Sequence, residues 1–100
     1  PDDITQLLRR WHEGDASALE VLLPQVYAEL RQLAAQELRV IGITHLQPTA
    51  LLNDVFVRLL GAQQVDIHNR KHLFTTASKL MRQVLVDRAR AQQRDKRGGG

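Results

Sequence analysis

Residues 72–97 combine an apolar repeat in their first half with a cluster of basic residues in their second half, and a single α-helix can carry both. Apolar side chains recur three or four residues apart, which places them on one face of a helix; they are Leu73, Phe74, Ala77, Leu80, Met81, Val84 and Leu85. Beyond Leu85 this repeat fades, although the composition stays typical of a helix to about Lys96. The pattern predicts a long C-terminal helix whose first half packs in a core and whose second half extends past it.

The first 38 residues show the same periodicity and predict two more helices. The first is capped by Asp2 or Asp3 and stopped by Gly14, with an apolar face of Ile4, Leu7, Leu8 and Trp11. The second is capped by Asp15, and Pro24 within it predicts a kink or a restart. Its apolar stripe consists of Leu19, Leu22, Leu23, Val26, Leu30, Leu33 and Leu38.

The middle of the chain predicts a connector, a third helix and a loop. Residues 39–48 contain a glycine and end in a proline, which indicates a connector. Pro48 suits the first turn of a helix and Gly61 suits its end, and the inward face consists of Leu51, Leu52, Val55, Phe56 and Leu59. Residues 62–69 predict a polar loop in which Asn69 caps the last helix.

No strand-like alternation persists anywhere, so the predicted fold class is all-α. We expect a compact bundle of about four helices with a long basic C-terminal helix, forming one domain over residues 1–97. The three glycines at 98–100 predict the start of a flexible linker, because they have no side chains to pack.

Charge is distributed unevenly along the chain. Residues 70–97 contain nine basic and two acidic residues, whereas residues 1–69 contain five basic and nine acidic ones, so the net charges are +7 and −4. Cations near a helix C-terminus interact favourably with the helix dipole, but two or three cations are enough for that effect. The excess indicates a partner that is a polyanion, and nucleic acid is favoured over an anionic membrane because the basic segment lacks an apolar face.

Several other functions are disfavoured by residue content. The chain has no cysteine, which excludes disulfides and thiolate metal sites and fits a cytoplasmic location. His68 and His72 are four residues apart without a third ligand nearby, so we expect neither a metal nor another cofactor. No catalytic spacing of carboxylates, nucleophile arrangement or phosphate-binding glycine loop is present, and we expect no enzymatic activity.

Two segments resemble a known family. The sequence TALLNDVFVRLL (49–60), a polar loop and then HLFTTASKLMRQVLVDRARAQQRDKR (72–97) resemble region 2 of bacterial RNA polymerase sigma factors, in particular the extracytoplasmic-function (ECF) group. Residues 15–39 and 46–51 are also similar to that group, so the resemblance covers essentially the whole chain. It implies binding to core RNA polymerase and recognition of the melted promoter −10 element, with an anti-sigma protein as a further candidate partner.

The resemblance implies that the third helix docks on the coiled coil of the polymerase β′ subunit. Asn53 and Asp54 stand where the family usually has Gln and Glu. Helical spacing independently predicts an outward face with polar and apolar side chains, as a docking face requires. Its residues are Ala50, Asn53, Asp54, Val57 and Arg58.

The resemblance also implies that residues 61–72 capture a base flipped from the non-template strand. The candidate contacts there are Gln63, Gln64, Asp66, His68, Asn69 and Lys71. The candidate DNA contacts along the last helix are Lys79, Arg82, Gln83, Arg90, Arg94, Lys96 and Arg97. Asp87 is predicted to pair with Arg90 or Arg94 on the same helix. A tryptophan common in the family is missing near residues 75–78.

A different class of function fits the same composition. A helical interaction module could use its basic tail to bind nucleic acid without sequence preference, or to bind an acidic protein. In the family a second helical domain reads the −35 element, and we expect no such domain within residues 1–100.

Overall fold

The computed structural model describes residues 4–61 and 66–98, with the side chains of the last helix described as far as Asp95. Within these residues the chain forms four α-helices and no strand. They are α1 (Ile4–His12), α2 (Ser17–Ile41), α3 (Pro48–Gly61) and α4 (Arg70–Gly98). The all-α bundle predicted from the sequence is confirmed, and α3 has the predicted ends. The proposed caps Asp2 and Asp3 lie outside the described residues.

Local signals set the helix ends. The Asp15 carboxylate accepts a hydrogen bond of 3.0 Å from the backbone N–H of Ser17, the first residue of α2. Gly42 ends α2 in the left-handed conformation, with φ 87°, where a residue with a Cβ is strained. Asn69 Oδ1 accepts a hydrogen bond of 2.8 Å from the backbone N–H of His72. The predicted capping role of Asn69 is therefore confirmed. At α2 the N-cap residue is Ala16, which makes no side-chain cap, and Asp15 contributes its hydrogen bond from one position earlier.

Two boundaries differ from the prediction. Pro24 lies inside α2 without ending it, so a restart at that residue is wrong. Leu22 and Val26, on either side of the proline, are fully buried, and their packing holds the helix together despite one lost backbone hydrogen bond. Helix α2 continues to Ile41, so the connector is residues 42–47 rather than 39–48.

The core lies around α2, which packs against the other three helices. Ion pairs from Glu29 to Arg70 and from Glu37 to Arg82 show that α2 and α4 run parallel. Ile67, in the segment predicted to be a polar loop, is only 3% exposed and belongs to the core. That segment is therefore anchored to the bundle by an apolar side chain as well as by the cap of α4.

Helix α4 extends well beyond the core. Leu85 is the last buried residue among the side chains of α4 that are described, whereas the helix continues to Gly98, about 20 Å further at 1.5 Å per residue. The molecule is accordingly elongated, measuring 53 × 25 × 18 Å along its principal axes. The apolar half and the basic half of α4 therefore have the separate locations that the sequence predicts.

Candidate nucleic-acid interface

Helix α4 exposes a row of cations. Lys71, Lys79, Arg90 and Arg94 are exposed, and none of them forms an ion pair within the described part of the chain. Arg90 and Arg94 line an open, shallow surface together with Asp87 and Gln93. The side chains of Lys96 and Arg97 lie outside the described residues. These free cations give α4 the charge that a phosphate backbone attracts.

Arg82, a predicted DNA contact, is paired with a carboxylate from another helix. Its Nε and Nη2 atoms each lie 3.3 Å from an oxygen of Glu37 on α2, and Ser78 Oγ donates to Glu37 Oε1 at 2.7 Å. Glu37 is 8% exposed, whereas the Arg82 side chain is 63% exposed. Burial raises the pKa of the Glu37 carboxyl, but the hydrogen bonds from Ser78 and Arg82 and the charge of Arg82 outweigh it. The pKa therefore lies below its ordinary value of 4.5.

Glu37 should make folding stability depend on pH. A carboxyl whose pKa is lowered by folding stabilises the folded chain above its unfolded pKa, and that contribution is lost as pH falls through the folded pKa. Glu37→Gln should therefore lower the free energy of unfolding at neutral pH and weaken its decline below about pH 4.5. Denaturation across a pH series measures both effects. Glu20→Gln, an exposed glutamate of the same helix, should leave the curve unchanged, and an equal response of the two variants would contradict the Glu37 assignment.

Two ion pairs join α3 to α4, and each helix contributes one acidic and one basic side chain to them. Arg88 Nη2 lies 2.8 Å from Asp54 Oδ2, and Arg58 Nη2 lies 2.7 Å from Asp87 Oδ2. Hydrogen bonds from Arg58 and from Gln83, at 3.1 Å, lower the pKa of Asp87. The ion pair of Asp87 is with Arg58 of the neighbouring helix and not with Arg90 or Arg94 as predicted, although the charge of Arg90 also lowers the pKa of Asp87.

The outward face of α3 is partly polar and partly apolar. Asn53 is exposed, Val57 is 70% exposed and Leu60, one turn further, is 57% exposed. Ala50 is half-buried, and the charges of Asp54 and Arg58 are paired with α4. The free part of this face is therefore an amide and two apolar side chains rather than a pair of unpaired charges.

The segment before α4 brings two histidines together. The rings of His68 and His72 stack at a centroid distance of 5.7 Å, and the backbone N–H of His68 donates to Nδ1 of His72 at 3.2 Å. Asp66 Oδ2 lies 3.0 Å from His68 Nε2. Gln63 and Gln64 lie outside the described residues. Of the predicted loop contacts, the structure brings Asp66, His68 and Asn69 to one exposed turn.

Three residues of these surfaces were missed by the sequence reasoning. Glu37 lies seven residues after Leu30 and next to Leu38, a spacing that places it on the buried face of α2. Leu60 lies seven residues after Asn53 and so shares its outward face. Ile67 is an apolar residue within a polar loop. The spacing of Glu37 and of Leu60 was a usable signal.

A four-helix bundle with a cationic helix extending beyond its core is a class of domain suited to binding a polyanion. The ECF sigma factor family model matches residues 1–100, so the chain belongs to the ECF sigma factor family. No curated protein and no solved structure matches the chain. The family confirms the sequence resemblance and assigns the chain a sigma factor role in transcription initiation, with core RNA polymerase and promoter DNA as partners.

The family is one of transcription factors and not of enzymes. Among the described residues, no cluster of three or more His, Asp or Glu side chains could hold a metal ion. No helix in the described part of the chain has the length and apolar content needed to cross a membrane.

Proposed function

We propose that this domain recruits core RNA polymerase through α3 and holds the melted −10 element through α4 and the turn before it. The observation that carries this proposal is the extension of α4 by 13 residues beyond the last buried residue among its described side chains, with free cations along it. Such a helix holds its charges at a fixed position relative to the bundle. Phosphate contacts of this kind fix the register and orientation of a protein on the nucleic acid. Residues 1–97 form the functional unit, and Gly98, which the sequence predicts as the first residue of a linker, is instead the last residue of α4.

The docking half of the proposal places the β′ coiled coil against the outward face of α3. Val57 and Leu60 supply apolar area at the centre of this face, and Asn53 supplies hydrogen-bonding groups. Aligned apolar and polar groups of this kind are typical of protein interfaces. The paired charges of Asp54 and Arg58 form its margin and keep α3 fixed against α4.

The DNA half of the proposal divides the contacts into two kinds. Lys71, Lys79, Arg90 and Arg94, followed by Lys96 and Arg97, contact phosphates of the non-template strand. The exposed turn of Asp66 and His68 contacts a flipped base, for which the stacked imidazoles provide a planar surface. Asn69 contributes its amide nitrogen there, because its Oδ1 atom caps α4.

Binding to labelled single strands tests the function. The domain, alone and bound to core polymerase, should bind a −10-like non-template strand more tightly than a scrambled strand of equal length. His68→Ala should reduce this preference and leave the salt dependence of binding nearly unchanged, because a contact to a base, unlike one to a phosphate, displaces no condensed counterion. Equal binding of every polyanion tested, heparin included, would instead favour the interaction module with a nonspecific basic tail.

Replacing Arg90 and Arg94 with Gln should weaken binding to all strands alike. Each lost phosphate contact on a single strand flattens the slope of log affinity against log salt by about 0.7, so the double variant should lose about 1.4. Fluorescence anisotropy at several salt concentrations measures the slope. The matched control replaces two exposed arginines of α2, Arg31 and Arg39, and should keep the parent slope. Equal slopes for the two double variants would refute the α4 assignment.

A further inference from the structure

Arg82 differs from the other cations of α4 in how its charge is used. Of the charged side chains that the structure describes, Glu37 alone is buried, and it accepts hydrogen bonds from Arg82 Nε and Nη2. A guanidinium has five N–H groups in a fixed planar arrangement. The pairing with Glu37 uses two of them, one on Nε and one on Nη2, which lie on the same edge. The outer N–H groups of Nη1 and Nη2 stay directed away from Glu37, on a side chain that is 63% exposed.

A phosphate is a poor partner for this guanidinium. The Glu37 carboxylate already neutralises its charge, and a second anion on the opposite edge would be repelled by that carboxylate across a short distance. A neutral acceptor suffers no such repulsion. Two parallel N–H groups match two adjacent acceptors, and guanine presents such a pair in its N7 and O6 atoms.

The surroundings of Arg82 suit a base rather than a phosphate alone. Arg82 stands at one concavity between α2 and α4, which is also lined by Leu33, Phe74, Thr75, Ser78 and Lys79. Leu33 and the part of the half-buried Phe74 ring that is not covered by the Arg70 guanidinium, 5.0 Å from the ring centroid, offer apolar surface to the face of a base. The Lys79 ammonium offers a charge to its phosphate. Ser78 fixes the Glu37 carboxylate at 2.7 Å, so the orientation of Arg82 is set by two contacts between helices.

We propose that Arg82, held by Glu37, is a specificity-determining residue that binds the N7 and O6 atoms of a guanine. The inference rests on the proposed DNA-binding function and assigns Arg82 to base recognition instead of phosphate binding. Glu37 is the positioning residue, since it touches the arginine and not the DNA.

The probe is a short labelled oligothymidine strand with one central nucleotide varied. The parent protein should bind the strand with guanine about five-fold or more tightly than the strand with thymine or cytosine. Replacement of guanine by 7-deazaguanine removes the N7 acceptor without changing charge and should remove most of that preference. Arg82→Lys keeps the charge but loses the fork, so it should bind all strands alike with nearly the parent salt slope.

Lys79→Gln is the matched control on the same concavity. It should keep the guanine preference and flatten the salt slope by about 0.7. Glu37→Gln should free the charge of Arg82, which steepens the slope by a similar amount and reduces the preference. If Glu37→Gln fails to fold, Arg82→Lys still tests whether Arg82 determines the guanine preference.

The two levels of failure are distinguishable. If the parent binds DNA with an ordinary salt slope but does not distinguish guanine from 7-deazaguanine, the assignment of Arg82 is overturned and the proposed function stands. If the folded parent binds no strand even in complex with core polymerase, the proposed function is overturned and this assignment with it.

Discussion

Val57→Asp should strongly weaken binding of core RNA polymerase and leave the bundle folded. Val57 is 70% exposed and lies at the centre of the proposed docking face, where burial of a carboxylate against a partner is costly. A central anchor typically contributes about 2 kcal/mol or more, which corresponds to roughly a 30-fold loss of affinity. Since the side chain has few neighbours in the free domain, the free energy of unfolding should change by only about 0.5 kcal/mol.

Val40→Asp is the matched control for this experiment. Val40 is 77% exposed near the end of α2 and lies outside the α3 face, so its replacement should leave polymerase binding intact. Pull-down with core polymerase and thermal unfolding of each variant provide the two readouts. Retained binding by a folded Val57→Asp variant would remove α3 from the interface.

Asp54 is a less suitable residue for this test than its exposed position on the helical wheel suggests. Asp54→Arg would place a second cation beside Arg88, since the two side chains now pair at 2.8 Å. A loss of polymerase binding could then arise from disturbed packing of α3 on α4. Val57 avoids this ambiguity because its side chain makes no charged contact.

The helices could be predicted from sequence because their signals are local. Apolar spacing, the proline and glycine at the ends of α3, and the asparagine that caps α4 all act within a few residues. Pro24 shows where a local signal loses to packing, because buried neighbours on both sides keep α2 continuous. Local preference is overridden when the core on either side is well packed.

The partners of charged residues could not be predicted in this way. Glu37 meets Arg82 across 45 residues, Arg88 meets Asp54 across 34, and Asp87 meets Arg58 across 29. Helical spacing identifies neighbours on one helix only, so it assigned Asp87 to the arginines of its own helix. These pairs arise from how α2, α3 and α4 pack, and they decide which of the described cations stay unpaired.

Met81→Ala should destabilise the domain far more than Leu80→Ala, although the sequence places both side chains on the core face of α4. Met81 is fully buried, whereas Leu80 is half-buried at the margin of the core. Truncation of a buried Met leaves a cavity and costs about 2–5 kcal/mol, a large part of the 5–15 kcal/mol that stabilises a typical domain. Leu80→Ala should cost less, because solvent already reaches that side chain and the site can relax. Urea denaturation of the two variants measures the difference, and equal losses would mean that α4 is rotated about its axis relative to the packing described above.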